Sequence, residues 1–273
     1  MSYNIEKLKE ISKDLRIECL KMLTKAGSGH PGGSLSLMDL VTALFLTKIN
    51  RTKDNALSND RHRFVLSKGH GVPALYAILS HIGIISKNDL KSFREVESPL
   101  QGHPDYARFP YVEASTGSLG QGLSIAQGIA MAGKLDNSKH KVYCILGDGE
   151  MQEGQIWEAL MSAPKYKLDN LCVILDYNKG QIDGHVKDVM NIEPLGDKLK
   201  AFNWHVINID GHNFDQIIKA LDEAETIKNK PTFIIANTIK GKGVSFMEGK
   251  NEWHGVAPNQ EQFDLSIKEL SAK

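Results

Sequence analysis

Short apolar runs in the second half of the chain restrict its fold more than any other feature of the sequence. Each spans five or six mostly apolar residues without regular alternation of polar and apolar positions, and the runs lie at 141–146, 170–175, 204–209 and 232–236. Strands with this pattern are covered on both faces, as in a parallel sheet whose strands are joined by helices. Helical patterns at 155–163 and 215–225 lie between them. The sequence therefore predicts an α/β fold, a doubly wound parallel sheet with helices on both faces.

The first part of the chain is predicted to form helices and glycine-rich loops. Apolar residues recur at steps of three and four over 5–22, which predicts an amphipathic helix. A glycine-rich loop (27–34) follows, and Ser36 with Asp39 resembles the capping box that starts another helix. The sequence has no internal repeat and no linker long enough to divide it. We expect one domain, residues 1–273, with a helical N-terminal extension to the sheet.

Charge and composition argue against several functional classes. Lysine plus arginine number 33 and aspartate plus glutamate number 33, so there is no basic excess to favour nucleic acid. No run reaches the roughly 18 apolar residues of a membrane span, and the charged N-terminus lacks the apolar core of a secretion signal. The three cysteines, at 19, 144 and 172, form no CxxC motif. We expect a cytoplasmic protein with buried thiols, and neither nucleic acid nor membrane as a partner.

Oxygen-bearing side chains follow two of the predicted strands. Gly-Asp-Gly (147–149) comes directly after the run at 141–146, and Asn178 follows the run at 170–175. In doubly wound sheets, ligands bind beyond the carboxyl ends of the strands. A single Asp-Gly is weak evidence, because it is a common turn. A carboxylate and an amide at adjacent strand ends favour Mg²⁺ that takes its other ligands from phosphates, which indicates a phosphorylated cofactor.

These motifs, together with others along the chain, resemble the N-terminal, diphosphate-binding part of a transketolase. Gly-Asp-Gly and the later asparagine are similar to the thiamine diphosphate motif. The resemblance extends over about residues 5–258 and includes further motifs in the family's order: GSGHPGGS (27–34), DRHRFVLSKGHG (60–71), GHP (102–104), STGSLGQG (115–122), DGH (210–212), KGKG (240–243) and WHG (253–255). It implies thiamine diphosphate with Mg²⁺, for which Ca²⁺ or Mn²⁺ can substitute. It also implies transfer of a two-carbon ketol unit from a ketose phosphate to an aldose phosphate.

The resemblance assigns metal and cofactor roles by position. Asp148 and Asn178 would bind the metal through their side chains, and Gly180 through its carbonyl, at a position where the family commonly has isoleucine. Further residues would contact the cofactor, most of them at its diphosphate: Gly117, Leu119, Gly149, Glu150, Lys240 and His254. Ile182 would pack against the thiazolium ring, and an ordinary core isoleucine is the alternative interpretation.

Three histidines lie beside glycine in loops rather than on apolar faces: His30, His70 and His103. Imidazole is the side chain suited to proton transfer near neutral pH. By resemblance, His30 and His103 would bind the sugar and help to protonate its oxygens, while His70 would lie nearer to the cofactor. We expect the neighbouring Asp60 and Arg61 to form a structural ion pair.

Glu153 indicates a second subunit. It is similar to the family's glutamate that reaches across the interface toward the glutamate that activates the cofactor. The segment 118–133 combines glycine and alanine with few charges, which favours close packing against another chain. The resemblance thus implies half a site, completed by a separate C-terminal transketolase subunit with a pyrimidine-binding domain, in a two-fold dimer or heterotetramer that acts on sugar phosphates. Two alternatives stay open: a non-catalytic thiamine diphosphate-binding subunit, and a related ketol transferase or synthase for an unusual sugar.

Overall fold

A computed structural model describes residues 3–272 and contains a central parallel sheet. The strands, numbered along the chain, are β1 (Arg63–Leu66), β2 (Val142–Gly147), β3 (Leu171–Tyr177), β4 (Gly180–Gln181), β5 (Gly184–His185), β6 (His205–Asp210) and β7 (Thr232–Asn237). The sheet has the order β1-β2-β3-β7-β6, with each strand parallel to its neighbours. Strands β4 and β5 form a separate short hairpin. The predicted α/β class with a parallel sheet is confirmed.

Helices cover both faces of this sheet. In chain order they are α1 (Ile5–Ala26), α2 (Pro31–Ser36), α3 (Met38–Leu44), α4 (Val72–His81), α5 (Gln121–Leu135), α6 (Gly154–Lys165), α7 (Val186–Val189), α8 (Leu195–Ala201), α9 (Phe214–Thr226) and α10 (Gln260–Ser271). Helices α1, α3, α4 and α9 pack on one face, and α5, α6 and α8 pack on the other. Helices α2 and α10 enclose a smaller apolar cluster with Trp253.

Strand side chains alternate between the two apolar layers. In β2, Tyr143 and Ile145 belong to the layer of α1 and α4, while Cys144 and Leu146 belong to the layer of α5 and α6. Successive strand residues point to opposite faces of a sheet. Because both faces of β2 are covered, both sets of positions are apolar, and the sequence shows a continuous apolar run rather than an alternating one.

Helix α1 confirms the predicted N-terminal helix and is part of the core. The Asn4 side chain accepts a hydrogen bond from the Lys7 backbone N–H at 3.1 Å, which caps the start of the helix. Gly27 follows Ala26 with a φ of 60°, the left-handed conformation that commonly ends a helix. The buried side of α1, which includes Leu23, packs against α3 and α4. The N-terminal helix is therefore one element of the helical layer.

The predicted capping box at Ser36 and Asp39 is wrong. Pro31 starts α2 inside the predicted loop, since proline suits the first turn of a helix. Ser36 Oγ donates a hydrogen bond to Asp176 at 2.5 Å, and Asp39 forms a buried ion pair with Arg16 at 2.7 Å. Both side chains are used in tertiary contacts with distant residues, which the local sequence does not reveal.

The predicted ion pair between Asp60 and Arg61 is also wrong. Arg61 instead donates to Glu113 at 2.7 Å, and Asp60 is exposed. Arg51 and Arg63 approach the same carboxylate at 2.5 and 3.7 Å. The partner of Arg61 is thus a glutamate 52 positions along the chain.

Two further expectations concern the thiols and the membrane. Cys19, Cys144 and Cys172 are free and buried, as predicted. Within the described residues, no helix is long and apolar enough to span a membrane.

Candidate active site

The end of β2 presents a buried carboxylate. Asp148 is only 2% exposed, and its carboxylate accepts hydrogen bonds from the backbone N–H groups of Gly149, at 2.8 Å, and of Lys179. Burial and the nearby Asp176 carboxylate raise the pKa of Asp148 to about 6. The contact with Lys179 joins the loop after β2 to the loop after β3. The two loops that the sequence predicts to carry metal ligands are therefore adjacent.

Asn178 lies just beyond β3 with its amide orientation fixed by its neighbours. The amide nitrogen lies 3.3 Å from both Ser36 Oγ and Asp176 Oδ2, to which it donates. The amide oxygen accepts the backbone N–H of Gly180 at 3.1 Å. With the nitrogen held by Ser36 and Asp176, the oxygen is directed to the side on which Gly180 lies.

A buried ion pair supports this asparagine. Asp176 is fully buried and accepts from Lys68 Nζ at 2.5 Å, from Ser36 Oγ, and from Thr238 Oγ1. Burial alone would raise the pKa of Asp176, but Lys68 and these hydrogen bonds lower it below its usual value. Sequence reasoning missed this pair. The available signal was an aspartate at the end of an apolar strand and a lysine inside the Ser-Lys-Gly-His motif.

Glu150 connects three loops of the site. Its carboxylate accepts from Ser67 Oγ at 2.5 Å and from the backbone N–H groups of Gly120, at 3.0 Å, and Gly147, at 3.1 Å. These contacts join the ends of β1 and β2 to the start of α5. Glu150 borders the site, but its side chain is directed at the protein, so a contact of this residue with the diphosphate stays a prediction.

A buried lysine lies beside Gly180 in the wall of the site. Lys240 is 1% exposed, and its Nζ donates to the Gly180 carbonyl at 3.0 Å and lies 2.9 Å from His254 Nδ1. Burial and the nearby Lys68 lower the pKa of Lys240 to about 8. The residue is therefore not the solvated surface lysine that a lone lysine usually is.

Gly180 has a steric reason to be glycine in this chain. A Cβ built on Gly180 would lie 2.3 Å from Asn251 Oδ1 and 3.1 Å from the Lys240 side chain. Contacts below 3.0 Å require a neighbour to move, so Asn251 occupies the space that a larger residue at position 180 would need. The backbone carbonyl, through which the metal role was predicted, is independent of the side chain.

These groups surround a cavity of about 220 Å³. The four residues Asp148, Asn178, Gly180 and Lys240 line it. Its walls also include Gly33, Lys68, His70, Leu119, Gly149, Glu150, Glu153, Ile182 and His254. Ile182 is 70% exposed, so its interpretation as a core isoleucine is wrong. An exposed isoleucine at the mouth of a polar cavity instead fits a residue that covers an apolar part of a ligand.

Four histidines form a cluster next to this cavity, which we call the histidine cluster: His30, His70, His103 and His254. The ring centroid of His30 lies 5.4 Å from that of His70 and 5.7 Å from those of His103 and His254. The centroids of His70 and His254 are 5.0 Å apart. The sequence grouped His254 with the diphosphate residues, and the structure places it in this cluster, where its Nδ1 also lies 2.9 Å from Lys240 Nζ.

Burial keeps the histidine cluster neutral. Burial and neighbouring positive groups lower the pKa of His30 to about 4 and that of His254 to about 3. The same causes lower the pKa of His70, and burial with Arg94 lowers that of His103. His30 Nδ1 is buried and has no hydrogen-bond partner among residues 3–272. The cluster thus offers neutral imidazoles that can accept or share protons with a ligand.

Two glycine-rich loop positions shape the approach to the cluster. Gly117 has a φ of 140°, and a Cβ there would lie 2.9 Å from the His103 ring. Only glycine allows the backbone to pass this close to the imidazole.

Glu153, at the start of α6, is exposed and lies beside Gly120. Its carboxylate is therefore accessible to another chain.

The donor set fits a divalent metal that binds through a phosphate. Among the described residues, no group of three or more His, Cys, Asp or Glu could hold a metal alone. Asp148, Asn178 and the Gly180 carbonyl are hard oxygen donors, as Mg²⁺ prefers, and Mg²⁺ takes further ligands from phosphates. At Gly149, a Cβ would lie 3.1 Å from the Gln181 side chain, so the loop is already closely packed. The site therefore fits a diphosphate with its metal.

Fold and site together define an α/β domain that binds a diphosphate cofactor at the carboxyl ends of its strands, beside a cluster of neutral histidines. A family model described as "Transketolase, thiamine diphosphate binding domain" matches residues 7–271. The chain belongs to this family. The cofactor of the family, and of this chain, is thiamine diphosphate with a divalent metal.

Relatives of known function extend the comparison. The chain is 44% identical to a 6-deoxy-6-sulfo-D-fructose transketolase subunit of Clostridium sp. (strain MSTE9), covering 92% of this chain and 91% of that protein. It is 40% identical to an apulose-4-phosphate transketolase subunit of Phocaeicola vulgatus, covering 98% and 95%. The transketolase structure from Campylobacter jejuni superposes with a TM-score of 0.92 at 36% identity, over 98% of this chain and 43% of that one. The chain thus spans nearly all of the two subunits and about two fifths of that transketolase chain.

Proposed function

We propose that this chain is the diphosphate-binding subunit of a two-subunit transketolase. The single observation that carries this proposal is that a diphosphate and metal cradle lies beside a cluster of four neutral histidines, two of which line the same cavity. The similarity to two proteins named as transketolase subunits, over nearly the whole length of each, supports an enzyme of two separate chains. The partner would be a separate C-terminal subunit with a pyrimidine-binding domain.

The exposed groups around the cavity support a partner that covers it. Ile182 and Glu153 lie at the cavity wall and are exposed. Helices α5 and α6 present further exposed apolar side chains, among them Ile125, Leu135 and Met161. The inward side of α5 packs on its own sheet, so the glycine and alanine content of 118–133 serves intrachain packing as well. We propose a two-fold dimer or heterotetramer, located in the cytoplasm.

The residues of this chain would divide the work between binding and proton transfer. Asp148, Asn178 and the Gly180 carbonyl would hold the metal, and Lys240 Nζ, which here donates to that carbonyl, would turn to the diphosphate and neutralise its charge. When bound, thiamine diphosphate supplies the carbon nucleophile and the electron sink for cleaving the C2–C3 bond of a ketose phosphate.

The histidine cluster would supply the proton transfers. His30, which has an unpartnered buried nitrogen, would accept a proton from a substrate hydroxyl when the C2–C3 bond breaks and return it to the acceptor's carbonyl oxygen. His103 would bind the sugar beside it, and His70 would lie toward the cofactor. Exclusion of water by the partner would strengthen each of these contacts.

An unusual sugar is the second candidate within the same chemistry. The relatives at 44% and 40% identity are named for a sulfonated fructose and for apulose 4-phosphate. This observation favours a ketose other than the common pentose and hexose phosphates as the donor. A panel of ketose donors, tested with the assembled enzyme, distinguishes the two candidates.

The decisive experiment measures ketol transfer with and without the partner. The purified chain, loaded with thiamine diphosphate and Mg²⁺, is assayed alone and with a separately purified pyrimidine-binding subunit. We expect turnover only with both subunits, saturating at roughly equimolar ratio. Robust turnover by this chain alone would overturn the two-subunit proposal. Tight cofactor binding without turnover in the complex would instead support a non-catalytic subunit.

A further inference from the structure

We propose that Arg94 is an anion-binding residue of this active site and that it receives the phosphate or sulfonate group of the sugar. The inference rests on the proposed function and deepens it. It assigns to this chain, and not only to its partner, a residue that recognises the charged end of the substrate.

The first observation is the position of the Arg94 side chain. A Cβ built on Gly102 would lie 2.7 Å from the guanidinium carbon of Arg94, and one on Gly29 would lie 3.5 Å from Nη1. These glycines directly precede His103 and His30. The guanidinium therefore lies against the backbone that carries two members of the histidine cluster, in a space that a side chain at position 102 would fill.

The second observation is that this guanidinium lacks a counter-ion. Among residues 3–272, no carboxylate or carbonyl forms an ion pair or hydrogen bond with the Arg94 side chain, and the guanidinium carbon lies 5.9 Å from the centroid of the adjacent Phe93 ring. Other arginines shielded from solvent do have partners: Arg16 pairs with Asp39 at 2.7 Å, and Arg51 with Glu113 at 2.5 Å. A half-buried guanidinium without an anion is a binding group for one.

The third observation concerns the backbone. Arg94 has a φ of 65°, in the left-handed region that residues other than glycine rarely adopt, and its N–H donates to the Leu100 carbonyl at 2.9 Å. Such conformations persist where the surrounding structure holds them. The loop therefore holds Arg94 in an unfavourable backbone conformation that directs its side chain to Gly29 and Gly102.

The fourth observation is the sign of the surrounding charge. His103, Arg94, Lys68 and Lys240 each lower the pKa of His30, and Arg94 also lowers the pKa of His103. Asp176 neutralises Lys68, whereas Arg94 has no carboxylate partner among residues 3–272, so Arg94 is the group there that attracts an anion. A planar guanidinium binds two oxygens of a tetrahedral oxyanion at once, a geometry that a phosphate and a sulfonate share.

The test uses the complex of both subunits with thiamine diphosphate and Mg²⁺. Arg94→Gln is compared with wild type on three aldose acceptors of matched length: one ending in phosphate, one in sulfonate and one in a hydroxyl. We expect the KM for a charged acceptor to rise about 10-fold or more, with the KM for the neutral acceptor unchanged. The larger rise identifies which of the two anions Arg94 binds.

Two further variants and a binding measurement serve as controls for this test. Arg94→Lys should recover part of the affinity, because it keeps the charge but not the paired donors. Arg108→Gln removes an exposed arginine, hydrogen-bonded to the Val96 carbonyl, from a nearby loop and should change nothing. Calorimetry with inorganic phosphate should show binding to wild type that Arg94→Gln weakens.

The outcomes separate the two proposals. Equal losses on charged and neutral acceptors would show a structural role for Arg94 and overturn the inference, as would unchanged kinetics on all three. If the complex transfers no ketol unit at all, the proposed function fails, while the phosphate titration still decides whether Arg94 binds an anion.

Discussion

The metal end of the cavity and the histidine cluster are built in opposite ways. At the end of the cavity that carries the predicted metal ligands, which we call the metal end, the buried charged groups have partners in the chain. Asp176 binds Lys68, Glu150 accepts hydrogen bonds from three loops, and Lys240 donates to the Gly180 carbonyl. In the histidine cluster, His30 Nδ1 has no partner within the described residues, and the rings meet one another at 5.0 to 5.7 Å.

The difference shows which part of the site the fold completes by itself. A network of satisfied buried groups holds its geometry before a ligand arrives. A cluster of neutral rings with an unused nitrogen has capacity left for the substrate. We therefore expect substitutions at the metal end to change cofactor affinity, and substitutions in the cluster to change turnover.

The largest effect should come from Asp148→Ala. Loss of the anionic metal ligand should weaken Mg²⁺-dependent binding of thiamine diphosphate by about 10²-fold or more, measured by calorimetry on the assembled enzyme. Asp188→Ala, at an exposed position in α7, is the matched control. Unchanged affinity in a folded Asp148→Ala variant would show that the metal lies elsewhere.

His103→Ala tests the other half of the comparison. Loss of acid–base help should lower kcat/KM by about 10²-fold while the affinity for thiamine diphosphate stays the same. His81→Ala removes an exposed histidine at the end of α4 and should leave both quantities unchanged. Weaker cofactor binding with normal turnover would place His103 with the metal end instead.

Ile182→Ala should have a smaller effect, confined to binding. Because the residue is 70% exposed, its truncation should leave the free energy of unfolding unchanged. Loss of apolar cover over the cofactor should weaken its binding by about 3- to 10-fold. Val96→Ala, at an exposed apolar position outside the cavity wall, serves as control. A loss of stability without a change in cofactor affinity would contradict this role.

The smallest expected effect concerns pH. Burial and neighbouring positive groups lower the pKa of His30 to about 4, below its ordinary value of 6.5. As the pH falls from 6.5 toward 4, the unfolded chain binds this proton and the folded chain does not, so stability falls. His30→Asn should remove part of that loss, on the order of 1 kcal/mol or less given the partial exposure of the ring.

Urea unfolding of the chain at pH 7 and pH 4.5 measures this quantity. The exposed His185→Asn is the control and should retain the wild-type difference between the two pH values. A full wild-type loss of stability in His30→Asn would assign the pH dependence to other groups.

Local patterns predicted the sheet well, because strands buried on both faces must be apolar at every position. They predicted that Asp148 and Asn178 would converge, since parallel strands end at one edge. They missed α2, where Pro31 begins a helix within a glycine-rich stretch. They also missed the Asp176–Lys68 pair, because these residues are 108 positions apart and only the folded chain brings them together.

The orientations of the side chains in the site could not be predicted from the sequence for the same reason. Glu150 is turned toward Ser67 and Gly120, and neither position can be inferred from residues near 150 in the sequence. Arg94 belongs to the motif-free segment before Gly102, and its missing counter-ion is visible only in three dimensions.

The contact between Gly180 and Asn251 has an evolutionary consequence. Asn251 Oδ1 is buried without a hydrogen-bond partner among the described residues, and it occupies the space of a side chain at position 180. A protein that carries Asn251 cannot accept a branched residue at position 180 in a single substitution. A smaller residue at position 251 must first vacate the space that this side chain would occupy. The order of the two substitutions therefore matters, and positions 180 and 251 should change together among descendants of this sequence.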